Sequence, residues 1–236
     1  QLLDFYEKGI RSFVIHPRKG LPLTTPYLSD VFLDYVEYLV EEAKALGMTV
    51  ILYDEAMYPS GSCHGRVVQT NPAFAAKGLK KHIWLPDAPT PAFGEGNWFI
   101  AAALAETMAD GTCKYTGFDT MEAMQEAYAQ SELTKEAYYF TLVYSKGTIR
   151  GIHPDEDDEE PLAPKAADLL DPEAMQTFIH LTHDVYYNRL KEHFGKTIIS
   201  IFTDEPSYQG VYINGWQTKK IVHPIDETIP IYPVVN

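Results

Sequence analysis

The chain has 236 residues, and its 33 acidic against 19 basic side chains give a formal net charge of −14. Apolar and aromatic residue types make up 45% of the sequence and charged types 22%, which is typical of a folded protein rather than a disordered chain. The negative charge argues against nucleic acid or an anionic membrane surface as a partner, because both would repel it. No apolar run approaches the ~20 residues that span a bilayer, so no membrane segment is predicted.

Two helix–strand units open the chain. A helix over 1–8 is followed by an apolar strand over 12–16, and a second helix over 27–46 leads into a strand over 48–53. The spacing of apolar residues in the second helix predicts one wide buried face, made of Val31, Tyr35, Leu39 and Ala43 with Phe32, Val36 and Val40 beside them.

A long segment of different character, 71–165, separates these units from a third one. Its strands are predicted at 79–85, 98–104, 111–115 and 137–144, with a short helix at 118–128. The third unit has one continuous helix over 171–193 and a strand over 198–202. We therefore divide the chain into a first part of the parent fold (1–70), a mostly β insertion of α+β type (71–165) and a continuation of the parent fold (166–236).

The three strands of the parent fold are apolar with little alternation. Such strands are typical of a parallel sheet that is buried on both faces under helices. Helix–strand units in series predict the α/β class. The pattern alone fits a closed barrel and an open sheet equally well.

Polar side chains follow each of these strands: His16 and Arg18 after the first, Asp54 and Glu55 after the second, and Asp204 and Glu205 after the third. In parallel α/β folds the active site is built at this edge of the sheet. Carboxylates without a predicted metal cluster or nucleotide-binding loop favour acid–base catalysis or glycosyl transfer. Neighbouring side chains at a strand end point to opposite sides, so we expect Glu205 to be the acid and Asp204 to orient other groups.

Structural alternatives stay open for several of these residues. Asp204 and Glu205 could simply end a strand in a solvated turn, and Arg18 could bind a sugar or pair with a neighbouring carboxylate. Tyr58 and Trp216 could stack on a sugar ring or pack in the core. We expect His180 and His183 to lie far from the site, because a helix outside a barrel would carry them.

Several different short motifs follow one another along the chain. In chain order they are His16-Pro17-Arg18-Lys19-Gly20-Leu21; Tyr53-Asp54-Glu55 with Pro59-Ser60-Gly61; Asp168-Leu169-Leu170-Asp171-Pro172-Glu173-Ala174; Leu181-Thr182-His183 with Phe194-Gly195-Lys196-Thr197-Ile198; and Thr203-Asp204-Glu205-Pro206-Ser207-Tyr208. Together they resemble a family of large bacterial glycoside hydrolases, the α-L-rhamnosidase-like enzymes with a (β/α)8 catalytic barrel. The resemblance covers about 1–208 without most of the insertion. Tyr58 departs from the tryptophan common in relatives, and Asp171 from the usual asparagine.

The resemblance implies a partial TIM-type barrel. The strands predicted at 12–16, 48–53 and 198–202 would be the second, third and fourth strands of that barrel, and the insertion would follow its third strand. Glu205 would then hold the position of the catalytic acid, and His16, Arg18, Asp54 and Glu55 would line the sugar pocket. Calcium assists some members of the family, so the resemblance is compatible with a bound calcium ion, but it identifies no ligands for one. Without the insertion the chain is much shorter than the ~250 residues of a complete barrel. We therefore expect the remainder of the same polypeptide to complete it.

These observations predict a glycoside hydrolase that acts on side chains of a polysaccharide, with α-L-rhamnosides as the first candidate substrates. The predicted catalytic residues are Glu205 and, as the best local second carboxylate, Glu55. The predicted substrate-binding residues are His16, Arg18, Asp54, Tyr58, Asp204 and Trp216. The competing hypothesis is a non-catalytic carbohydrate-binding or interaction module. The cellular location stays open, because two apparently free thiols favour the cytoplasm whereas many bacterial relatives are exported.

Overall fold

The computed structural model describes residues 1–17, 20–145, 147–156, 161–206 and 228–230. They fall into two compact units: residues 1–76 with 147–206, and residues 77–145 with the strand at 228–230. The strands are β1 (Ser12–Ile15), β2 (Thr49–Tyr53), β3 (Lys77–Trp84), β4 (Asn97–Thr107), β5 (Cys113–Phe118), β6 (Thr134–Tyr144), β7 (Ile198–Phe202) and β8 (Thr228–Pro230). The α-helices are α1 (Leu2–Glu7), α2 (Asp30–Ala45), α3 (Arg66–Thr70), α4 (Met121–Gln130), α5 (Pro172–Leu181) and α6 (His183–Leu190).

The first unit contains a parallel sheet in the order β1-β2-β7. Phe13 lies beside Val50, and Leu52 lies beside Ile201, so apolar side chains from all three strands share one face. This face packs against the helices in a single core that includes Val50 and Leu52. The fold is therefore mixed α/β, as predicted, and the described residues form no closed barrel.

The opposite face of the parallel sheet is open among the described residues. The side chains of Val14 and Phe202 are 41% and 43% exposed, and Ser200 is also exposed. Among the described residues these strands are therefore covered on one face, and their burial on both faces stays a prediction. The apolar sequence of a strand does not specify how many layers cover it.

Helix α2 begins at Asp30, three residues later than predicted. Leu28 has a φ of +56°, outside the helical region, and the hydroxyl of Ser29 caps the helix by accepting the N–H of Phe32 at 3.3 Å. The buried stripe comprises Phe32, Leu33, Val36, Val40 and Ala43. Val31 and Tyr35, expected on this face, are 46% and 61% exposed, because the buried stripe is centred on the row that contains Phe32, Val36 and Val40.

The predicted third helix is two helices. Asp171 caps α5 by accepting the N–H groups of Glu173 and Ala174, and α5 ends at Thr182, whose φ and ψ are −120° and −72°. The hydroxyl of Thr182 donates to the carbonyl of Phe178 at 2.7 Å, which favours a local bend. A new helix, α6, begins at His183.

The second unit is an antiparallel sheet in the order β5-β4-β6-β3-β8 with α4 packed on one face. Trp84, Leu104 and Ala137 from the sheet meet Met121 and Met124 from α4 in its core. Strands β4 and β6 are longer than the alternation pattern predicted, since they extend to Thr107 and start at Thr134.

This unit is shorter than the predicted insertion of 71–165. Residues 147–156 and 161–165 belong with the parallel sheet instead, where Ile149 is buried against Ala76 and Ala166. Glu156 accepts hydrogen bonds from His64 and from the backbone N–H of Ile152. Both cysteines are free, Cys63 in the core and Cys113 at the surface.

Substitution of Leu52 by Ala tests the core between sheet and helices. Leu52 is fully buried, so we expect a loss of about 2–5 kcal/mol in the free energy of unfolding from transfer and cavity terms. Leu23→Ala is the matched control, since Leu23 is 76% exposed and its loss should cost no more than about 0.5 kcal/mol. Urea unfolding followed by circular dichroism measures both, and equal losses would contradict this core.

Candidate functional site

The predicted polar residues meet at the carboxyl edge of the parallel sheet. His16 follows β1, Asp54 and Glu55 follow β2, and Asp204 and Glu205 follow β7. Their environments differ greatly, from fully buried to exposed. Those differences determine which of them can meet a ligand.

Asp54 is buried, with 1% of its surface exposed. Its carboxylate accepts hydrogen bonds from the hydroxyls of Ser60 and Thr203, each at 2.6 Å. The imidazole Nε2 of His183 lies 3.6 Å from the same carboxylate. Asp54 therefore links the end of β2 to the loop after it, to the end of β7 and to α6.

Glu55 is also fully buried, and backbone N–H groups surround its carboxylate. The donors are the N–H groups of Ala56 (2.9 Å), Ser62 (2.9 Å), Cys63 (2.7 Å) and His64 (2.5 Å). Burial raises the pKa of Glu55 to about 7, while these four donors act in the opposite direction. With no exposed surface, Glu55 holds the loop in shape and is not placed to meet a substrate.

The loop around Glu55 has a tight backbone. Cys63 and His64 have φ values of +49° and +53°, which turn their N–H groups toward the carboxylate. Gly61 has a φ of +128°, and a Cβ atom there would lie 2.4 Å from Cδ2 of Leu169. Glycine is thus required at this position, both by the backbone conformation and by the close approach of Leu169.

Tyr53 and Asp204 connect the ends of β2 and β7. The Tyr53 hydroxyl is 3.0 Å from the Asp204 carboxylate and also contacts the carbonyl of Met57. Burial and the neighbouring Asp204 raise the pKa of Tyr53 far above its usual value, so its proton is retained. The backbone N–H of Ser60 donates to the carbonyl of Asp204, and the backbone N–H of Asp204 donates to the hydroxyl oxygen of Ser60, each at 2.9 Å.

His16 lies flat on the ring of Tyr53, with centroids 3.7 Å apart and planes inclined by 19°. Its Nδ1 is 2.8 Å from the carbonyl of Pro17, which can only accept, so Nδ1 carries the proton. Nε2 of the neutral ring is then an acceptor, and it is buried without a hydrogen-bond partner in the part of the chain that the structure describes. Because it is buried, this nitrogen is enclosed by protein atoms and is not open to a ligand.

Glu205 is exposed, unlike the other three carboxylates of this edge. Its carboxylate accepts a hydrogen bond of 2.7 Å from the hydroxyl of Tyr58, and this bond raises the pKa of Tyr58. The backbone of Glu205 has a φ of +39°, a strained conformation for a residue with a side chain. Such strain is common at functional sites.

His183 belongs to this site, contrary to the expectation that its helix faces away. The bend at Thr182 starts α6 at a point where the imidazole reaches Asp54. His180 lies apart from the site, exposed at the surface and hydrogen-bonded to Asp184. The sequence shows one helical pattern through both histidines, so only the β-branched Thr182 hints at the bend.

A pocket of about 510 Å³ opens beside Asp54 and His183. Ser60, Thr203 and Pro206 contribute to its wall at the sheet edge, and the other wall is mostly apolar. Arg18 and Trp216, both predicted to bind substrate, lie outside the described residues. Within the described part of the chain no group of three or more His, Cys, Asp or Glu side chains is arranged to hold a metal ion. No residue is therefore assigned to the calcium ion that the resemblance admits.

No family model matches the chain, and neither the curated proteins nor the solved structures compared with it give a match. Across the described residues, no helix has the length and apolar character needed to cross a membrane.

The buried carboxyl of Glu55 predicts a pH dependence of stability. The pKa of Glu55 is raised to about 7 in the folded chain, whereas an unfolded glutamate titrates near ~4.3. Between these values the folded state keeps the proton that the unfolded state has lost. The free energy of unfolding should therefore fall by about 3 kcal/mol as the pH rises from about 4 to about 7.

Urea unfolding across this pH range measures the effect, with Glu55→Gln as the variant that lacks the titrating group and the exposed Glu42→Gln as a matched control. The difference between wild type and Glu55→Gln should change with pH, while the difference for Glu42→Gln stays flat. Parallel profiles for all three proteins would contradict the assignment.

Proposed function

We propose that the chain is the catalytic part of a glycoside hydrolase and that Glu205 is its general acid. The exposure of Glu205 is the observation that carries this proposal: its carboxylate is open to solvent at the sheet edge, while those of Asp54 and Glu55 are buried and saturated by protein donors. A glycosidase acid must reach the oxygen of the leaving group. Glu205 meets that requirement.

The contact with Tyr58 orients the carboxyl group of Glu205. Tyr58 donates to Oε2, which leaves Oε1 to carry the proton to the glycosidic oxygen. The stacking of His16 on Tyr53 fixes the orientation of both rings at this edge of the sheet. In its protonated form Glu205 would donate its proton to the leaving oxygen as the bond between the anomeric carbon and that oxygen breaks. A water molecule would add to the anomeric carbon and lose one proton to the second carboxylate, which leaves the hydroxyl of the released sugar.

We further propose that the parallel sheet is part of a (β/α)8 barrel that the remainder of the polypeptide completes. Three parallel strands with helices on one face have the arrangement of barrel strands, and their open apolar face, with Val14 and Phe202, would become the barrel interior. The second catalytic carboxylate would come from a later strand. The motifs that resemble the rhamnosidase-like enzymes make polysaccharide side chains, and α-L-rhamnosides first, the candidate substrates.

One observation favours the alternative of a non-catalytic carbohydrate-binding module. Glycoside cleavage normally needs two carboxyl groups, and at this edge Asp54 and Glu55 are committed to protein contacts. Asp204 also has a partner in Tyr53. Without a second free carboxylate the site would hold a sugar and leave it intact.

Replacement of Glu205 by Gln is the direct test. In the polypeptide with its barrel complete, we expect the variant to lose several orders of magnitude in kcat on a rhamnoside with a poor leaving group, because the acid is gone. A rhamnoside with an activated aryl leaving group, which needs less protonation, should lose much less. Release of reducing sugar measures both, and Glu42→Gln is the control at an exposed site. Unchanged turnover on both substrates would refute the acid, and binding of a rhamnoside without turnover by the wild type would favour the module.

A second variant, Tyr58→Phe, removes only the hydroxyl that bonds Glu205. We expect kcat to fall about tenfold, the equivalent of one hydrogen bond, with KM changed less than about twofold. Steady-state kinetics on the same rhamnosides measures this. An effect on KM alone would instead indicate that Tyr58 binds the ground-state sugar.

A further inference from the structure

The pocket next to His183 has no part in the proposed reaction. It lies between the ends of β2 and β7 and the helices α5 and α6, and its volume of about 510 Å³ is within the ~300–1,000 Å³ range of small-molecule sites. Its apolar wall consists of Leu169, Met175, Phe178 and Ile179. Polar groups lie only at the other end, where Asp54, Ser60, His183 and Thr203 line it.

The hydrogen bonds around His183 determine where its proton lies. The hydroxyl of Thr182 donates to the carbonyl of Phe178 at 2.7 Å, so its oxygen can only accept from Nδ1 of His183, which is 2.9 Å away. Nδ1 of the neutral ring therefore carries the proton. Nε2 is then a lone-pair acceptor, and the His183 side chain is 31% exposed.

The neighbouring Asp54 restricts what can bind at this nitrogen. Its carboxylate is 3.6 Å from Nε2, so an anionic head group would be repelled. Asp54 itself is only 1% exposed, and both of its oxygens already accept from Ser60 and Thr203. An ammonium head group would be attracted by the charge of Asp54, but among the described residues it would find one accessible neutral acceptor in exchange for its water shell. A neutral hydroxyl that donates one hydrogen bond fits best.

The apolar wall favours an aromatic body for the ligand. Phe178 offers a ring that already packs edge-on against His183, with centroids 5.5 Å apart and planes at 77°. Met175 offers a thioether, which makes favourable contacts with aromatic rings. A flat ring can contact both while its hydroxyl reaches Nε2.

We propose that this pocket binds a small neutral phenol, whose hydroxyl donates to Nε2 of His183 and whose ring packs against Phe178 and Met175. This site is separate from the proposed hydrolysis, since it requires neither Glu205 nor turnover. Thr203 and Pro206 line the pocket and flank Glu205 in the chain, so the two sites share one strand end.

Titration of the full chain with phenol, observed through the ¹³C-labelled methionine methyl groups, tests the proposal. We expect the Met175 signal, assigned with Met175→Leu, to shift on addition of phenol. Anisole has the same ring without the donor and should bind about three- to tenfold more weakly. Benzoate and benzylamine should bind more weakly than phenol, because one is repelled and the other loses hydration.

Two variants make the result specific. His183→Ala should reduce phenol affinity to that of anisole, while His180→Ala, at an exposed histidine of α5, should leave it unchanged. Ile179→Trp should abolish binding of both compounds by filling the pocket, at a position that is 40% exposed and tolerates a larger side chain.

Equal affinity for phenol and anisole, tighter binding of benzoate or benzylamine, or unchanged phenol binding in folded His183→Ala would each overturn the proposal. Circular dichroism of every variant establishes that it is folded, and if His183→Ala is not, the comparison of phenol with anisole and the Ile179→Trp variant still decide the question. Binding is read without hydrolysis, so the failure of the glycosidase proposal and the failure of this one are distinguishable.

Discussion

The burial of two adjacent carboxylates at the end of β2 is the constraint on which the rest of the site depends. An unpaired carboxylate in the core would be very costly, so the chain after Asp54 and Glu55 must return to supply donors. Backbone N–H groups of the returning loop satisfy Glu55, and the hydroxyl of Ser60 satisfies Asp54. Ser60 also exchanges hydrogen bonds with Asp204, which fixes the end of β7 and with it the backbone of Glu205.

The sequence predicts the location of the site better than the role of each residue in it. An apolar strand followed by carboxylates is a local pattern, and it correctly predicts the strands that end before Asp54 and Glu205. Whether a carboxylate is buried or exposed depends on donors that arrive from elsewhere in the chain. Glu55 and Glu205 look equally suited to catalysis in the sequence, and they differ because only Glu55 is enclosed by a loop.

The predictions that failed have similar causes. His183 was placed far from the site because the apolar pattern runs unbroken through Thr182, whose bend depends on a hydrogen bond to Phe178. The boundary of the insertion was misplaced because 147–156 pack through isolated contacts, such as the one between Ile149 and Ala166, and not through regular elements.

The charge of the sheet edge connects the two proposed ligands. Asp54, Asp204 and Glu205 lie together there, in a chain whose net charge is −14, so an anionic ligand would pay an electrostatic cost to approach. A sugar and a phenol are both neutral, and both bind through hydroxyl groups. For the phenol, the proposed acceptor is the unprotonated Nε2 of His183, which is fixed because Nδ1 donates to the hydroxyl oxygen of Thr182. The apolar wall beside that nitrogen, which includes Phe178 and Met175, is the feature that would favour a phenol over a sugar in this pocket.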